Sequence, residues 1–294
     1  MQAAAEVGIT SETKRYPTTI TQSELLEIID QLNLDERVDG ILVQLPVPDH
    51  MNERVICDAV CCNKDVDGFN EKNVGRLCLD INTLIPCTAL GVQELIKRSN
   101  IETFGKNCVV VGRSKNVGLP IFMLLHADGR NDTGAMDATV TMCHRFTPTE
   151  QLRQYCQNAD IIISATGVPN LIKADMVKPG ACIIDVGITR VKDEATGRFK
   201  LVGDADYDGK CPHQLCSTAA KLINCFLSLD PHRSSKGRRT HNTRSRRCWP
   251  NDRHHAHAKH LHCLPESSSI ARTAERQRTH FDLICSSETI IFFR

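Results

Sequence analysis

The residues best suited to chemistry in this 294-residue chain lie in a glycine-flanked turn that follows a run of valines. Residues 109–111 are all valine, which predicts a buried strand, and Gly112-Arg113-Ser114-Lys115-Asn116-Val117-Gly118 predicts a tight turn that opens a helix. A helix start presents unpaired N–H groups and a partial positive charge, and glycine lets the backbone approach a ligand closely. The segment therefore predicts a phosphate-binding turn, with an ordinary strand-to-helix turn as the alternative.

Further chemistry-bearing residues follow other predicted strands. Ser164-Ala165-Thr166-Gly167 and Asp185-Val186-Gly187-Ile188 place glycines at strand carboxyl ends, where open α/β sheets bind ligands. Arg145 follows the strand 138–143, at the position where a dinucleotide-binding domain selects its cofactor, and an arginine there suits a 2′-phosphate or another anion. Asp137 adds a carboxylate just before that strand. For Arg145 and Asp137 the alternative is a solvated strand edge.

Two polar residues in the first part of the chain form a second candidate site. Gln44 ends the apolar strand 38–45, and Asp67 lies in the polar loop Lys64-Asp65-Val66-Asp67-Gly68. An amide and a carboxylate beside one pocket suit a flat heterocycle with adjacent N–H donors, although most such residues are surface groups. No serine or cysteine before residue 211 has a positioned histidine that would predict a nucleophilic site.

The elements that must position these residues belong to the α/β class. Thr21-Gln22-Ser23-Glu24 is a capping box that predicts a helix start. Strands at 138–143, 159–165 and 181–186 alternate with helical stretches, which predicts a parallel, doubly wound, Rossmann-like sheet. We predict a first α/β domain at 1–88, a dinucleotide-binding domain at 89–210 and a disordered tail at 211–294.

Composition separates the tail from the rest of the chain. Residues 1–210 contain 22 Lys and Arg against 29 Asp and Glu, whereas the remainder contains 14 against 6 and holds nine of the twelve histidines. This basic composition without periodicity predicts disorder. Zinc binding and nucleic-acid binding by the tail are not predicted, because the ligand spacing is irregular and no folded element presents the charge.

Cysteine content, the length of apolar runs and the first residues indicate the cellular compartment. None of the 15 cysteines falls in a repeating framework, so we expect reduced thiols. No apolar run approaches the ~20 residues that cross a bilayer, so no membrane partner is expected. The first residues show neither an apolar signal core nor an Arg-rich presequence, and no targeting peptide is expected in this chain.

Six segments taken together resemble one enzyme family over about residues 3–208. They are Val43-Gln44-Leu45-Pro46, Lys64-Asp65-Val66-Asp67-Gly68, Pro86-Cys87-Thr88, the turn 112–118, Ala138-Thr139-Val140-Thr141 and Asp185-Val186-Gly187-Ile188. Their order and spacing resemble the methylenetetrahydrofolate dehydrogenase/cyclohydrolases. The resemblance implies that residues 1–88 are a truncated folate-binding, catalytic domain. It also implies NAD-dependent oxidation of 5,10-methylenetetrahydrofolate, hydrolysis to 10-formyltetrahydrofolate, a homodimer, and a mitochondrial location.

The resemblance also implies roles for single residues. Asp67 would hold the pterin ring, Gln44 would orient a catalytic lysine, and Val43 and Leu45 would line the substrate. The cofactor-binding residues implied are Gly112, Arg113, Ser114, Lys115, Asn116, Gly167, Gly187 and Ile188. Arg145 would hold inorganic phosphate and Asp137 would help to bind Mg²⁺, as in the NAD-dependent mitochondrial form.

The chain departs from the family pattern in two places. The family's Tyr-x-x-x-Lys aligns just before Met1, so we expect an N-terminally truncated chain with little turnover, since losing a general acid/base costs ~10²–10⁴-fold. The motif Ile-Thr-Pro-Val-Pro-Gly-Gly-Val-Gly-Pro-Met-Thr, expected after Val202, is absent. Residues 241–260 permit that motif when their codons are read one base later, so we hypothesise a frameshifted tail. The alternative function is an inactive dinucleotide-binding or dimerising paralogue.

Overall fold

The computed structural model describes residues 2–192, 199–206 and 290–293. The first part of the chain alternates short helices with strands. Its elements are α1 (Gln2–Glu6), β1 (Ser11–Lys14), α2 (Gln22–Leu34), β2 (Gly40–Val43), α3 (Glu53–Ala59) and α4 (Glu71–Cys78). The predicted capping box is confirmed, because Thr21 Oγ1 accepts the Glu24 N–H while the Glu24 carboxylate accepts the Thr21 N–H at 2.8 Å. α2 buries Leu25, Ile29 and Leu32 against β2.

The second part contains the predicted parallel sheet. Its elements are α5 (Cys87–Arg98), β3 (Asn107–Val111), α6 (Gly118–His126), β4 (Thr139–Cys143), α7 (Thr149–Asn158), β5 (Ile161–Ser164) and β6 (Cys182–Asp185). All pairs are parallel in the order β4-β3-β5-β6, which confirms the doubly wound sheet. The chain crosses from β3 to β4 on one side and returns to β5 on the other. The crevice between the ends of β3 and β5 is thus the topological switch point.

An antiparallel pair, β7 (Thr189–Lys192) and β8 (Phe199–Val202), follows the parallel sheet. After β8 the chain returns to the sheet, where Asp204 is fully buried and Ala205 is also buried. A backbone bond from Ile172 N to Asp204 O at 3.0 Å fixes this return. The segment 203–205 therefore closes one end of the parallel sheet.

The far end of the chain contributes one strand to the first domain. β9 (Ile290–Phe293) pairs antiparallel with both β1 and β2 and lies between them. The prediction of a tail without structure is thus corrected at these four residues. The reason is that β1 and β2 do not pair with each other, and the apolar segment Ile-Ile-Phe-Phe gives both strands main-chain partners. The rest of the predicted tail, including its histidines, lies outside the described residues. So do residues 241–260, on which the frameshift hypothesis rests.

The two parts share packing around α4 and α5. Leu77 of α4 and Ile85 are buried in one cluster with Val92 of α5 and Ile121 of α6. Gly68 (φ +69°) lies so close to this connection that an added Cβ would be 2.6 Å from Leu84 O. In the described ranges, no helix is long and apolar enough to cross a bilayer.

Candidate functional site

The structure brings the predicted cofactor residues to one edge of the parallel sheet. Gly112, Arg145, Gly167 and Gly187 follow β3, β4, β5 and β6 within three residues of each strand's end. Because all four strands are parallel, their carboxyl ends lie at the same edge. The resulting crevice is lined by four loops that lie far apart in the sequence.

The turn between β3 and α6 is shaped by packing of the chain on itself. Gly112 has φ +126°, and a Cβ there would lie 2.3 Å from Ala165 O, while a Cβ on Gly118 would lie 2.2 Å from Gly112 O. Both glycines are therefore required sterically before any ligand is considered. The residue preceding α6 is Val117, which provides no side-chain cap. Leu119 N already donates to Ser114 O at 2.9 Å, Ile121 N donates to Val117 O at 3.2 Å, and Pro120 has no N–H, so the Gly118 N–H is the donor of this first turn that remains available to an anionic ligand.

A buried carboxylate that sequence reasoning missed ties these loops together. Asp204 is fully buried, and its Oδ2 accepts bonds from Ser164 Oγ (3.0 Å), Thr166 N (2.6 Å), Thr166 Oγ1 (2.8 Å) and Gly167 N (3.3 Å). Its Oδ1 has no partner among the described residues and occupies the space where a Cβ on Gly187 would stand, at 2.1 Å. Asp204 therefore fixes the loop after β5 and requires glycine after β6.

Asp185 makes a similar contact at the end of β6. Its Oδ1 accepts the Gly187 N–H at 2.9 Å and its Oδ2 accepts the Ala205 N–H at 2.8 Å. Burial raises the pKa of this carboxyl, and the backbone bonds act in the opposite direction. In contrast, Gly167 (φ +69°) faces open space, since an added Cβ would meet nothing closer than Thr189 Oγ1 at 3.9 Å. Hydrogen bonds to Asp204 and Asp185 hold the loops after β5 and β6, whereas the space beside Gly167 is open. A dinucleotide would lie in that space, so these residues fit such a cofactor.

The residues implied for phosphate and Mg²⁺ are not brought together. Arg145 follows the carboxyl end of β4, whereas Asp137 precedes its amino end. Residues 139–143 alone span about 13 Å at ~3.3 Å per residue. Asp137 Oδ2 instead accepts the Gly129 N–H at 3.1 Å. Within the described ranges no group of three His, Cys, Asp or Glu side chains could hold a metal ion. Asp137 therefore does not fit a Mg²⁺ shared with a phosphate on Arg145.

Gln44 and Asp67 lie at the same end of β2. Ile41 of β2 bridges Asp65 in parallel orientation, so the chain runs alongside β2 and Asp67 emerges where Gln44 does. Gln44 is half-buried, and its Nε2 donates to Leu45 O at 3.0 Å. It lines a cavity together with Tyr16, Val43, Pro46, Val47 and Met51. The structure thus provides a pocket beside the predicted amide.

Asp67 is a buried carboxyl without a protein donor. Only 9% of the residue is exposed, and none of the described residues donates a hydrogen bond to it. Burial, with a smaller contribution from the charge of Asp65, raises the pKa of Asp67 to about 8. Asp67 is therefore mostly protonated at neutral pH until a ligand supplies donors.

Asp65, two residues earlier, is satisfied in every direction. It accepts bonds from Gly68 N (3.1 Å), Asn70 N (2.8 Å) and Asn73 Nδ2 (2.9 Å). Burial raises its pKa, and these bonds oppose the rise. Asp65 thus fixes the loop that presents Asp67, although the sequence offers no signal that separates the two roles.

Lys64 is occupied elsewhere. Its ammonium donates to Leu32 O (3.1 Å), Asn33 O (2.8 Å) and Asp35 O (2.9 Å), which are carbonyls at the carboxyl end of α2 and its C-cap. This lysine therefore caps a helix and does not replace a catalytic lysine beside Gln44.

Fold and site together define a two-domain α/β protein with a dinucleotide-binding domain. Residues 86–219 match the profile of the tetrahydrofolate dehydrogenase/cyclohydrolase NAD(P)-binding domain, and residues 1–67 match that of the catalytic domain. The mitochondrial bifunctional methylenetetrahydrofolate dehydrogenase/cyclohydrolase of Drosophila melanogaster is 63% identical over 208 residues, which are 71% of this chain and 67% of that protein.

Two further relatives agree with this match. The mitochondrial bifunctional methylenetetrahydrofolate dehydrogenase/cyclohydrolase 2 of Homo sapiens is 59% identical over 208 residues, 71% of this chain and 60% of that protein. The solved 5,10-methylenetetrahydrofolate dehydrogenase of the silkworm, Bombyx mori, is 60% identical with a TM-score of 0.62, covering 66% of this chain and 65% of that one. The chain thus spans about three fifths to two thirds of these relatives' length. It belongs to the tetrahydrofolate dehydrogenase/cyclohydrolase family.

Proposed function

We propose that this chain oxidises 5,10-methylenetetrahydrofolate and hydrolyses the product to 10-formyltetrahydrofolate. The observation that carries the proposal is the carboxyl of Asp67, which is buried, has a pKa raised to about 8 and lacks a donor among the described residues. A reduced pterin presents adjacent N–H donors on one edge. Such donors would favour the carboxylate form and hold the heterocycle between Asp67 and the cavity beside Gln44.

The second substrate is a nicotinamide dinucleotide, which supplies the hydride acceptor when it is bound. The Gly118 N–H at the start of α6 would contact its phosphates, and Gly167, Gly187 and the exposed Ile188 would line the crevice. We propose NAD with inorganic phosphate at Arg145 as the preferred combination. A homodimer and a mitochondrial location are proposed from the family resemblance and from the names of the relatives.

A second candidate function is dinucleotide binding without turnover. Gln44 Nε2 donates to Leu45 O, and no lysine of the described ranges hydrogen-bonds to Gln44. Lys64, the lysine of the neighbouring loop, caps α2. Without an ammonium beside Gln44, the polypeptide of residues 1–294 would bind both substrates and release little product.

Both candidates are tested with one set of measurements on the full chain. Binding of tetrahydrofolate and of NAD is measured by calorimetry, and methenyltetrahydrofolate formation is followed with NAD, Mg²⁺ and phosphate present. Asp67→Ala should abolish folate binding and leave NAD binding intact, whereas Asp128→Ala, a control at a half-buried aspartate after α6, should change neither. Binding of both ligands without turnover favours the second candidate. Folate binding that survives Asp67→Ala contradicts the assignment of the folate site.

A further inference from the structure

An exposed aromatic ring at the cofactor edge lies against two arginines. Phe146 follows Arg145 at the end of β4 and is 68% exposed. The Arg145 Cζ atom lies 4.9 Å from the centre of the Phe146 ring, and the Arg113 Cζ atom lies 6.0 Å from it. No carboxylate of the described residues forms an ion pair with either guanidinium. Two guanidiniums without a carboxylate partner among the described residues thus lie next to an exposed apolar ring at the rim of the crevice.

The backbone holds this ring in a defined position. His144 N donates to Thr147 Oγ1 at 3.0 Å, and Thr147 N donates to His144 O at 2.8 Å. Phe146 N donates to His144 Nδ1 at 3.2 Å, and the two rings meet edge to face at 6.1 Å. Three hydrogen bonds in four residues therefore fix the turn that carries Phe146, and the ring is presented to solvent by a rigid element.

The two guanidiniums come from adjacent strands and repel each other. Arg113 follows β3 and Arg145 follows β4, and paired strands lie ~4.8 Å apart. The negative face of an aromatic ring attracts a guanidinium within about 6 Å of its centre. Phe146 meets this criterion for both arginines and belongs to no buried cluster. At this edge the ring thus contacts the two cations and the His144 ring, not the core.

We propose that Phe146 is a positioning residue that holds Arg113 and Arg145 as one clamp for a phosphate dianion. This inference rests on the proposed cofactor site and names the residue that organises its anion selectivity. The phosphate has two possible sources, inorganic phosphate bound beside NAD or the 2′-phosphate of NADP. Guanidinium pairs suit phosphate because each presents several N–H donors in a planar fork.

The test compares three variants of the full chain. Phe146→Leu removes the ring and keeps an apolar side chain, and Phe146→Tyr keeps the ring. Phe104→Leu is the matched control, because Phe104 is 74% exposed and precedes β3, at the opposite edge of the same sheet. The dissociation constant of NAD is measured against inorganic phosphate at constant ionic strength, and that of NADP without phosphate.

The expected result is specific to the phosphate. Each exposed ring–cation contact corresponds to about 2- to 5-fold in affinity, so losing both contacts in Phe146→Leu should raise the phosphate concentration needed for half of the effect by about 4- to 25-fold. NAD affinity without phosphate should change less than about twofold. Phe146→Tyr should behave as the unmodified chain. If NADP is the source, the same loss appears in its dissociation constant instead.

Several outcomes would overturn the inference. A Phe146→Leu variant that matches Phe104→Leu in both phosphate arms shows that the ring does not position the clamp. An equal loss of NAD affinity with and without phosphate indicates general damage to the crevice. An unmodified chain that binds NAD but responds to neither phosphate source also refutes the clamp, and leaves the dinucleotide proposal standing. Absence of NAD binding altogether refutes the proposed function itself.

Discussion

Replacing Asp67 by asparagine should stabilise the folded chain most strongly at alkaline pH. The folded pKa of Asp67 is about 8, because burial and then Asp65 disfavour its charged form, whereas an unfolded aspartate titrates near ~3.9. Between these values the folded state holds a proton that the unfolded state has released. The free energy of unfolding therefore falls with rising pH by at most ~1.4 kcal/mol per unit, and the fall ends above the folded pKa.

The asparagine variant has no titrating group at position 67, so the pH dependence of its stability lacks this contribution. Its stability relative to the unmodified chain should grow by about 2–3 kcal/mol from pH 6 to 8, which is two units at the limiting slope. The same variant should lose folate binding, because its side chain can no longer become an anion. Stability and ligand binding would thus change in opposite directions at one position.

Urea unfolding between about pH 5.5 and 8.5 measures this difference. Asp128→Asn is the control for loss of an aspartate, because the bond from Arg130 lowers the pKa of Asp128 to about 2. That group titrates below the measured range, so its removal should leave the pH slope unchanged. Parallel curves for Asp67→Asn and the unmodified chain would show that Asp67 is ionised throughout and would refute the reasoning.

Three other experiments test residues that support the fold around the site. Lys64→Met should lower the free energy of unfolding by about 1–3 kcal/mol, since three carbonyls of α2 lose a charged donor, and an unchanged urea midpoint would contradict this. Gly187→Ala should cost about 1–3 kcal/mol and weaken NAD binding, because its Cβ would lie 2.1 Å from Asp204 Oδ1. By comparison Gly75→Ala, which meets open space in α4, should be neutral or stabilising. A thiol reagent should modify the exposed Cys61 at once but reach Cys156, whose pKa burial raises to about 12, only after unfolding; equal rates would refute this.

Local patterns predicted the elements of this fold well. The capping box at Thr21 and the valine run before Gly112 each depend on neighbours within a few residues, and both are in the structure as expected. The alternation of strands and helices also fixed the parallel order of the second domain. Such features are visible in a sequence because the interactions that produce them are short in range.

Contacts across the chain were not predictable in the same way. Asp204 binds groups 37 to 40 residues away, and nothing near it in the sequence indicates those partners. Asp137 illustrates the opposite error, because it is close to Arg145 in sequence yet lies at the other end of β4. Strand direction, not sequence distance, decides which residues meet at a sheet edge.

Three of the buried aspartates show how a structural carboxylate differs from one available to a ligand. Asp204 and Asp65 each accept several hydrogen bonds from loops that they hold in place, and removing either would leave those donors unpaired. Asp67 is almost as buried but receives no bond from the described residues, so the protein bears the cost of its desolvation without compensation. Such an arrangement is stabilised only when donors arrive from outside. A buried acid without donors, two residues from a buried acid that has them, is therefore the strongest structural argument that this end of β2 binds a ligand.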